Sequence, residues 1–425
     1  MNAKTFKPRL LAKLLPNETS RRIVVITGAR QTGKTTLSRR VYEDLKYVNL
    51  DAPENRDTMR DLSTVTWGEV IGNAVIDEAH KEPTVFEKVK YAFDEDRISF
   101  TVLTGSSQIL LLRKIRESLA GRAFFYELWP LVQSEIRDSG DNGVEAPLLL
   151  DLVVSGEPLK KTLGEVPDRL LETQDYLYRA SEKHVMEWGG MPALLELPEE
   201  RRWQWLRNYG YTYLERDLRD LARLDDLMPF RKFHRLSAMT SGMLLNYSEL
   251  ARDASVSVDT ARRYLEYLRI SYQTALLQPY YKNLTSSVVK TPKLYWTDVG
   301  IWRQLTGFRG EMSGQLYETM VVSELYKWIH TTQQDVEMFF YRTRAGMEID
   351  ILLETGAGLI GFEIKSRDTV SERDARPLKV VAEALGSAWL GGIVLYTGNR
   401  IRPILSPNIW AIPSRRLFQP AVPGD

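Results

Sequence analysis

The stretch from Ile23 to Leu37, IVVITGARQTGKTTL, restricts the fold of this chain more than any other. Its four β-branched residues, Ile23, Val24, Val25 and Ile26, predict a short buried strand. Gly28 to Thr35 then follows the G-x-x-x-x-G-K-[ST] spacing and opens a helix. The spacing has a physical basis. It lets the backbone of Gly28, Ala29, Arg30, Gln31, Thr32 and Gly33 curl so that successive N–H groups and the helix N-terminus face one anion. Lys34 adds a point charge, Thr35 a hydroxyl ligand for Mg²⁺, and Thr36 stands next along the helix. The expected ligand is a nucleoside triphosphate with Mg²⁺. A glycine-rich strand-to-helix turn that holds no ligand is the competing reading.

Such a loop works with an acidic partner, and one follows about forty residues on. Ala74 to Glu78, AVIDE, reads as an apolar strand ending in two acids. It would bring Asp77 to the metal and leave Glu78 to orient and polarise the attacking water. The next strand, from Phe100, leads into Ser106, Ser107 and Gln108, so Ser107 is either a sensor of the γ-phosphate or an ordinary helix cap. Arg122 precedes a β-rich run, Ala123 to Leu128. It is either an arginine finger acting across a subunit boundary or the partner of a surface carboxylate. Alternating strands and helices, with the phosphate at the carboxyl end of the first strand, predict an α/β fold: an open, mainly parallel sheet with helices on both faces. Ahead of it, Phe6 to Leu15 is expected to form a short helix.

The segments TGARQTGKTTL, AVIDEAHKEP, LTGSSQILL and SLAGRAFFYEL together resemble, in order and spacing, the AAA-type P-loop ATPases of bacteria and archaea that carry a C-terminal winged-helix and restriction-endonuclease-like domain of unknown function. The resemblance runs over nearly the whole chain. It implies Lys34 and Thr35 as Walker A, Asp77 and Glu78 as Walker B, and Ser107 near the sensor position.

With 425 residues, 43% of them hydrophobic and 27% charged, the chain is expected to form two or three ordinary globular domains. It has no cysteine, so disulfides and thiolate metal sites are excluded, and its four scattered histidines do not suggest a zinc site. No apolar leader or membrane-length stretch is present, which makes the cytoplasm the expected location. A net charge of +1 leaves nucleic-acid binding open, because a balanced total can hide a local patch.

Residues from about Asp138 to Asp168 are rich in Gly, Pro and acids and read as inserted loops, with Trp188 to Pro192, WGGMP, as a further junction. Between Arg201 and Ile270, 13 Arg plus Lys stand against 9 Asp plus Glu. Within that span Tyr247 to Ala254, then Ser255 to Ser257, then Val258 to Leu268 has the form of helix, tight turn, helix. Such a unit can set its second helix in a DNA major groove, with Arg262, Arg263 and Arg269 on phosphates or base edges. It can also be a packing module or a protein dock whose arginines form a solvated face.

In the last third, EIDILLE (Glu348 to Glu354) and LIGFEIK (Leu359 to Lys365) flank Thr355-Gly-Ala-Gly358, read as a four-residue hairpin loop. Symmetric pairing sets Glu354 opposite Leu359, Asp350 opposite Glu363 and Glu348 opposite Lys365. Glu348, Asp350, Glu363 and Lys365 then share one face, and Ile349, Ile351, Phe362 and Ile364 the other. Opposed carboxylates about 5 Å apart repel unless a cation lies between them. Asp, then Glu-x-Lys on the adjoining strand, with Glu318 on an upstream helix, resembles the PD-(D/E)xK nuclease pattern, although Ile349 stands where that pattern has Pro. The resemblance implies Mg²⁺ held by Asp350, Glu363 and Glu318, with Lys365 orienting water or stabilising the phosphate. A solvated hairpin face, or a nuclease fold kept for binding alone, is the alternative.

These expectations divide the chain into an AAA-type ATPase domain (1–170), a helical, winged-helix-like DNA-binding domain (171–285) and a small α/β nuclease-like domain (286–425). The expected activity is ATP hydrolysis coupled to remodelling, or Mg²⁺-dependent cleavage, of duplex or branched DNA by a homo-oligomer. The alternative is a nucleotide-gated switch or scaffold that docks a protein partner and carries an inert nuclease-like domain.

Overall fold

The computed structural model describes residues 7–105, 119–138, 144, 147–212, 227–281, 289–406 and 408–421. Its first sheet contains β1 (Arg22–Thr27), β2 (Lys46–Asn49), β3 (Ala74–Asp77), β4 (Phe100–Thr104) and β5 (Ala123–Glu127). All pairings are parallel, in the order β2-β3-β4-β1-β5. Helices α1 (Lys34–Val41), α2 (Pro53–Asp61) and α3 (Thr84–Asp94) accompany it. In β1, Ile23 and Val25 pack on one face with Val85, Phe86 and Val89 of α3, while Val24 and Ile26 pack on the other with Leu37 of α1. Burial on both faces explains why this strand is a continuous apolar run, and each such side chain contributes about 1.5–3 kcal/mol. The carboxyl ends of β1, β3 and β4 meet at one edge, with β4 between the loop-bearing and acid-bearing strands. This is the expected α/β arrangement, a P-loop NTPase fold. The leading helix shrinks to one 3₁₀ turn, Leu10–Lys13, because Arg9 is extended and its side chain is drawn into the site described below.

Past β5, α4 (Gln133–Arg137) leads out of the first sheet. The stretch up to Asp168, expected as loops, contains helical turns at Leu149–Val153 and Leu159–Gly164. The apolar residues scattered through it decide this: Leu148, Leu149, Leu150, Val153, Leu159 and Leu163 are buried. They lie against the end of the chain, where the Leu149 amide donates to the Gln419 carbonyl (2.8 Å) and Leu148 bridges Pro420. Helices α5 (Glu172–Trp188), α6 (Glu199–Thr212), α7 (Met228–Met239), α8 (Tyr247–Ala254) and α9 (Val258–Ile270) follow. The helix, turn, helix read from the sequence is α8 and α9. Asn246 caps α8 by accepting from the Glu249 amide, Ser255 turns the chain at φ 60°, and Ser257 caps α9 by accepting from the Thr260 amide.

The second sheet has nine strands: β6 (Met243–Leu244), β7 (Thr274–Pro279), β8 (Lys293–Trp296), β9 (Val336–Arg342), β10 (Glu348–Thr355), β11 (Gly358–Lys365), β12 (Trp389–Tyr396), β13 (Arg402–Leu405) and β14 (Ile409–Pro413). Helices α10 (Val299–Thr306), α11 (Gly314–Thr332) and α12 (Glu372–Leu385) interleave with them. Strand β7 pairs with β8 antiparallel and with β9 parallel, so the boundary expected at 285 falls inside one continuous sheet. A single apolar cluster also joins Phe230 and Leu265 of the middle helices to Ile351 and Phe362. Helix α11 is buried along most of its length and runs against one sheet face, while Ala375, Leu378 and Val381 of α12 cover the other. Among the described residues, no helix is long and apolar enough to cross a membrane.

The β10–β11 register agrees with the sequence reading at Glu354 opposite Leu359 and Ile351 opposite Phe362. Two details differ. Thr355 pairs with Gly358, so the loop is the two residues Gly356 and Ala357. A register shift against β9 between Ile349 and Leu352 turns Ile349 toward α12, whereas Ile351, Phe362 and Ile364 stay on the α11 side.

Candidate functional site

The loop between β1 and α1 is held open as a cradle. Gly28 is required by contact: a Cβ there would lie 2.2 Å from the Leu128 carbonyl oxygen of the neighbouring strand end. Gln31 and Gly33 take positive φ, 61° and 96°, which curls the loop ahead of α1. Lys34 is buried, and its ammonium donates to the Gly28 (3.0 Å) and Ala29 (2.7 Å) carbonyls, so its charge stands at the loop mouth. The cleft above measures about 1100 Å³ and is lined by Arg30, Gln31, Thr32, Gly33, Lys34, Thr35 and Thr36 together with Lys7, Arg9, Arg39 and Arg40. Among the described residues that line it, Glu78 and Glu196 are the acids.

Thr35 and Asp77 meet as expected, the threonine Oγ1 donating to Asp77 Oδ2 at 2.6 Å. Two further hydroxyls converge on the same carboxylate: Tyr47 at 2.7 Å, and Thr104 at the end of β4. Ser107, proposed from sequence for the neighbouring role, lies outside the described residues, and Thr104 is the β4 residue that reaches the acid. Glu78 follows in the left-handed region (φ 54°), a conformation costly for a non-glycine residue and concentrated at functional sites. Burial, and the adjacent Asp77 charge against the opposing pull of Lys34, leave the Glu78 carboxyl pKa above its ordinary range. His80 Nδ1 lies 3.1 Å from Glu78 Oε2 but off the line of a hydrogen bond, and burial lowers the imidazole pKa to about 4. The neutral ring therefore fills space beneath Glu78.

Sequence reasoning missed the brace of this loop. Arg9, at 6% exposure, donates to the Thr32 carbonyl (2.6 Å) and the Trp129 carbonyl (2.5 Å), and its Nε lies 3.2 Å from Glu135 Oε1. Glu135 also accepts from the Leu10 (2.7 Å) and Val132 (3.1 Å) amides. The far wall of the cleft comes from outside the first sheet: Pro192 ends the WGGMP junction, and Ala193, Leu195 and Glu196 follow it. That junction is pressed against the loop's surroundings. Leu131 donates to the Gly190 carbonyl at 2.7 Å, and a Cβ on Gly190 would stand 2.1 Å from the Leu131 carbonyl oxygen.

Loop, lysine, hydroxyl–carboxylate pair and the cleft-lining Glu78 are thus one assembly, and its donors fit a magnesium–triphosphate group. Residues 20–137 match the family model of the AAA domain. This is a P-loop ATPase-type domain. Residues 180–312 and 313–417 match two models described only as domains of unknown function, DUF8612 and DUF4143. An uncharacterised protein of Mycobacterium tuberculosis is 27% identical over 407 residues, which is 93% of this chain and 81% of that protein. An uncharacterised protein of Methanocaldococcus jannaschii is 23% identical over 368 residues, 83% of this chain and 75% of its own. Among solved structures, the Walker-type ATPase of Pyrococcus abyssi aligns with 68% of this chain and 91% of its own at 15% identity, with a TM-score of 0.40.

The other sequence-derived residues fall into place unevenly. Arg122 is not at the cleft. Ala123 pairs with Ile23, at the amino end of β1, which puts Arg122 about five residues, roughly 17 Å of strand, from the phosphate loop. There it pairs with Asp94 Oδ1 at 2.5 Å. On α9, Arg263 is exposed, Arg262 stacks over the Tyr247 ring (4.7 Å) and Arg269 pairs with Glu266 (2.6 Å).

In the last sheet, Asp350, Glu363 and Lys365 come together where β10 and β11 separate. Asp350 Oδ2 accepts from the Ile364 amide (2.8 Å), and Lys365 pairs with Glu363 Oε2 (2.7 Å). Burial, with Glu318 nearby, raises the Asp350 pKa; burial, with Asp350 nearby, raises that of Glu363. Glu363 Oε1 is buried with no hydrogen-bond partner among the described residues. Glu318 is drawn aside by Tyr295 (2.6 Å) and by the buried Lys293 (3.3 Å), which also pairs with Glu348 (2.5 Å). Among the described residues, no three His, Cys, Asp or Glu side chains gather as a metal-binding group. Asp350 and the orphaned Glu363 oxygen are the donors that fit a divalent cation.

Proposed function

We propose that this chain binds and hydrolyses ATP in the cleft between β1 and the 192–196 segment, and uses the nucleotide state to change its grip on DNA. The observation that carries this reading is the single cleft joining Lys34, the Thr35–Asp77 pair and Glu78 to a wall supplied by the middle helices. Lys34 and the loop amides bind and orient the phosphates, Thr35 and Asp77 would hold Mg²⁺, and Glu78 holds the attacking water and takes its proton. Mg²⁺, when bound, neutralises and polarises the phosphate oxygens. The outer face of α9, with Arg262 and Arg263, is the proposed contact to DNA phosphates. Assembly of several copies belongs to the same reading, with Arg122 leaving Asp94 to complete a neighbour's site.

The test compares wild type with Lys34→Ala and Glu78→Gln. Lys34→Ala should lose nucleotide binding, whereas Glu78→Gln should bind ATP and fail to turn it over. Equal hydrolysis by wild type and Glu78→Gln would remove the role given to Glu78. DNA that raises turnover, with binding that weakens steeply as salt rises, supports the coupling. Turnover indifferent to DNA at every salt concentration favours a second reading, a nucleotide-gated scaffold with an inert last domain. That second reading draws on the pairing of Glu318 and Glu348 with Lys293, which engages both carboxylates within the protein. Mg²⁺-dependent cleavage lost in Asp350→Ala would argue against it.

A further inference from the structure

Tyr272 stands just past the end of α9, in the left-handed region at φ 64°. Bulky residues rarely take that conformation, and it persists only where the surroundings hold it. Here they do: the Tyr272 amide donates to the Arg269 carbonyl (3.0 Å), and Thr297 Oγ1 donates to the Tyr272 carbonyl (2.6 Å). The side chain then crosses from the middle helices into the first domain. Its hydroxyl lies 2.8 Å from Thr27 Oγ1, on the last residue of β1 before the phosphate loop. Thr27 Oγ1 also faces the Tyr126 carbonyl at 3.4 Å, so the threonine donates there and accepts from Tyr272. The ring packs edge-on against Trp129 (4.8 Å between centroids), and both rings cluster with Ala29 of the loop. Trp129 is the residue whose carbonyl anchors Arg9, and Arg9 holds Thr32.

We infer that Tyr272 is a positioning residue of the ATP site: it ties the start of the phosphate loop to the end of α9, so that nucleotide affinity depends on where α9 sits. Helix packing alone does not require this side chain. Glycine or asparagine meets a left-handed backbone position at less cost, and phenylalanine would fill the same apolar space. What tyrosine adds is a buried hydroxyl aimed at Thr27. A shift of α9, whose outer face carries Arg262 and Arg263, would act on the loop through this contact. The inference rests on the reading of the cleft as an ATP site.

The experiment titrates a fluorescent ATP analogue with Mg²⁺ against wild type, Tyr272→Phe, Thr27→Val, the double variant and Thr27→Ser, and measures kcat and KM for ATP. A neutral hydrogen bond corresponds to roughly a 2–12-fold change in affinity. Tyr272→Phe and Thr27→Val should each weaken binding about 3–10-fold and raise KM more than they lower kcat, because the loop grips ground state and transition state alike. The double variant should be no weaker than the worse single variant, and Thr27→Ser should stay within about twofold of wild type. Phe keeps the ring packing, and melting curves verify that each variant is folded. Unchanged affinity in both single variants overturns the inference, as do effects that multiply independently in the double variant. Wild type that binds no nucleotide removes the ATP reading itself, an outcome distinct from wild type that binds while Tyr272→Phe binds equally well.

Discussion

Arg9→Ala should be among the most damaging substitutions outside the phosphate loop. Arg9 makes two short hydrogen bonds to carbonyls and faces Glu135, which is itself 2% exposed. Removing one member of a buried ion pair costs about 3–5 kcal/mol, because the partner's charge is stranded. Glu135 keeps the Leu10 and Val132 amides, which places the expected cost at the low end, about 3 kcal/mol. That corresponds to roughly 6–12 °C in melting temperature. Glu135→Gln in the same chain removes the stranded charge, so the double variant should be more stable than the sum of the two single changes by about 1–2 kcal/mol. Urea unfolding of the four proteins measures this cycle, and a MgATP titration of each reports the loop. ATP affinity should fall at least tenfold in Arg9→Ala, since Thr32 loses its anchor. Additive stabilities within about 0.5 kcal/mol, or unchanged ATP affinity, would refute the brace.

Two further expectations concern pH. Asp350 and Glu363 hold their protons more tightly in the folded chain than in the unfolded one, so their contribution to stability falls as pH rises from the ordinary carboxyl range toward their raised values. Glu363→Gln should therefore raise the melting temperature at pH 8 and leave it nearly unchanged at pH 4, and Mg²⁺ should stabilise wild type at pH 8 more than this variant; calorimetry showing equal shifts at both pH values contradicts the assignment. His234, fully buried between the Phe230 and Trp296 rings, has its pKa lowered to about 3 by burial. The unfolded chain then binds the extra proton, and stability is lost as pH falls from 6.5, by about 2 kcal/mol at pH 5. His234→Phe should be free of that loss, so a stability gap between variant and wild type that stays constant from pH 6.5 to 5 would count against it.

Much of the arrangement could be read in advance wherever the cause is local. The helix, turn, helix of α8 and α9 followed from two helical stretches about a short turn, and the β10–β11 register followed from alternation about a short loop. Even the misjudged loop length kept the register, because Thr355 and Gly358 pair across the same centre. The meeting of Asp77 with Thr35 was legible for a similar reason, because a strand ending in Asp-Glu downstream of a complete phosphate loop is that loop's expected acidic partner. The errors came from distance. The 138–168 stretch has loop composition, and its described leucines are buried by segments far along the chain, Gln419 and Pro420 beside Leu148 and Leu149, and Gly391 beside Leu159. Nor does anything near Glu318 in sequence announce Lys293 and Tyr295 as its partners.

The sequence by itself determined the phosphate cradle and the mainly parallel α/β layer that carries it, since glycine spacing and β-branched runs act over a few residues. Only the tertiary structure decided what holds the cradle and what it is connected to. Arg9 reaches Trp129, and Thr27 meets Tyr272, across 120 and 245 residues of chain. Contacts of that separation leave no periodicity or spacing to read, because their energy comes from burial and hydrogen bonding that exist only after the chain has closed on itself.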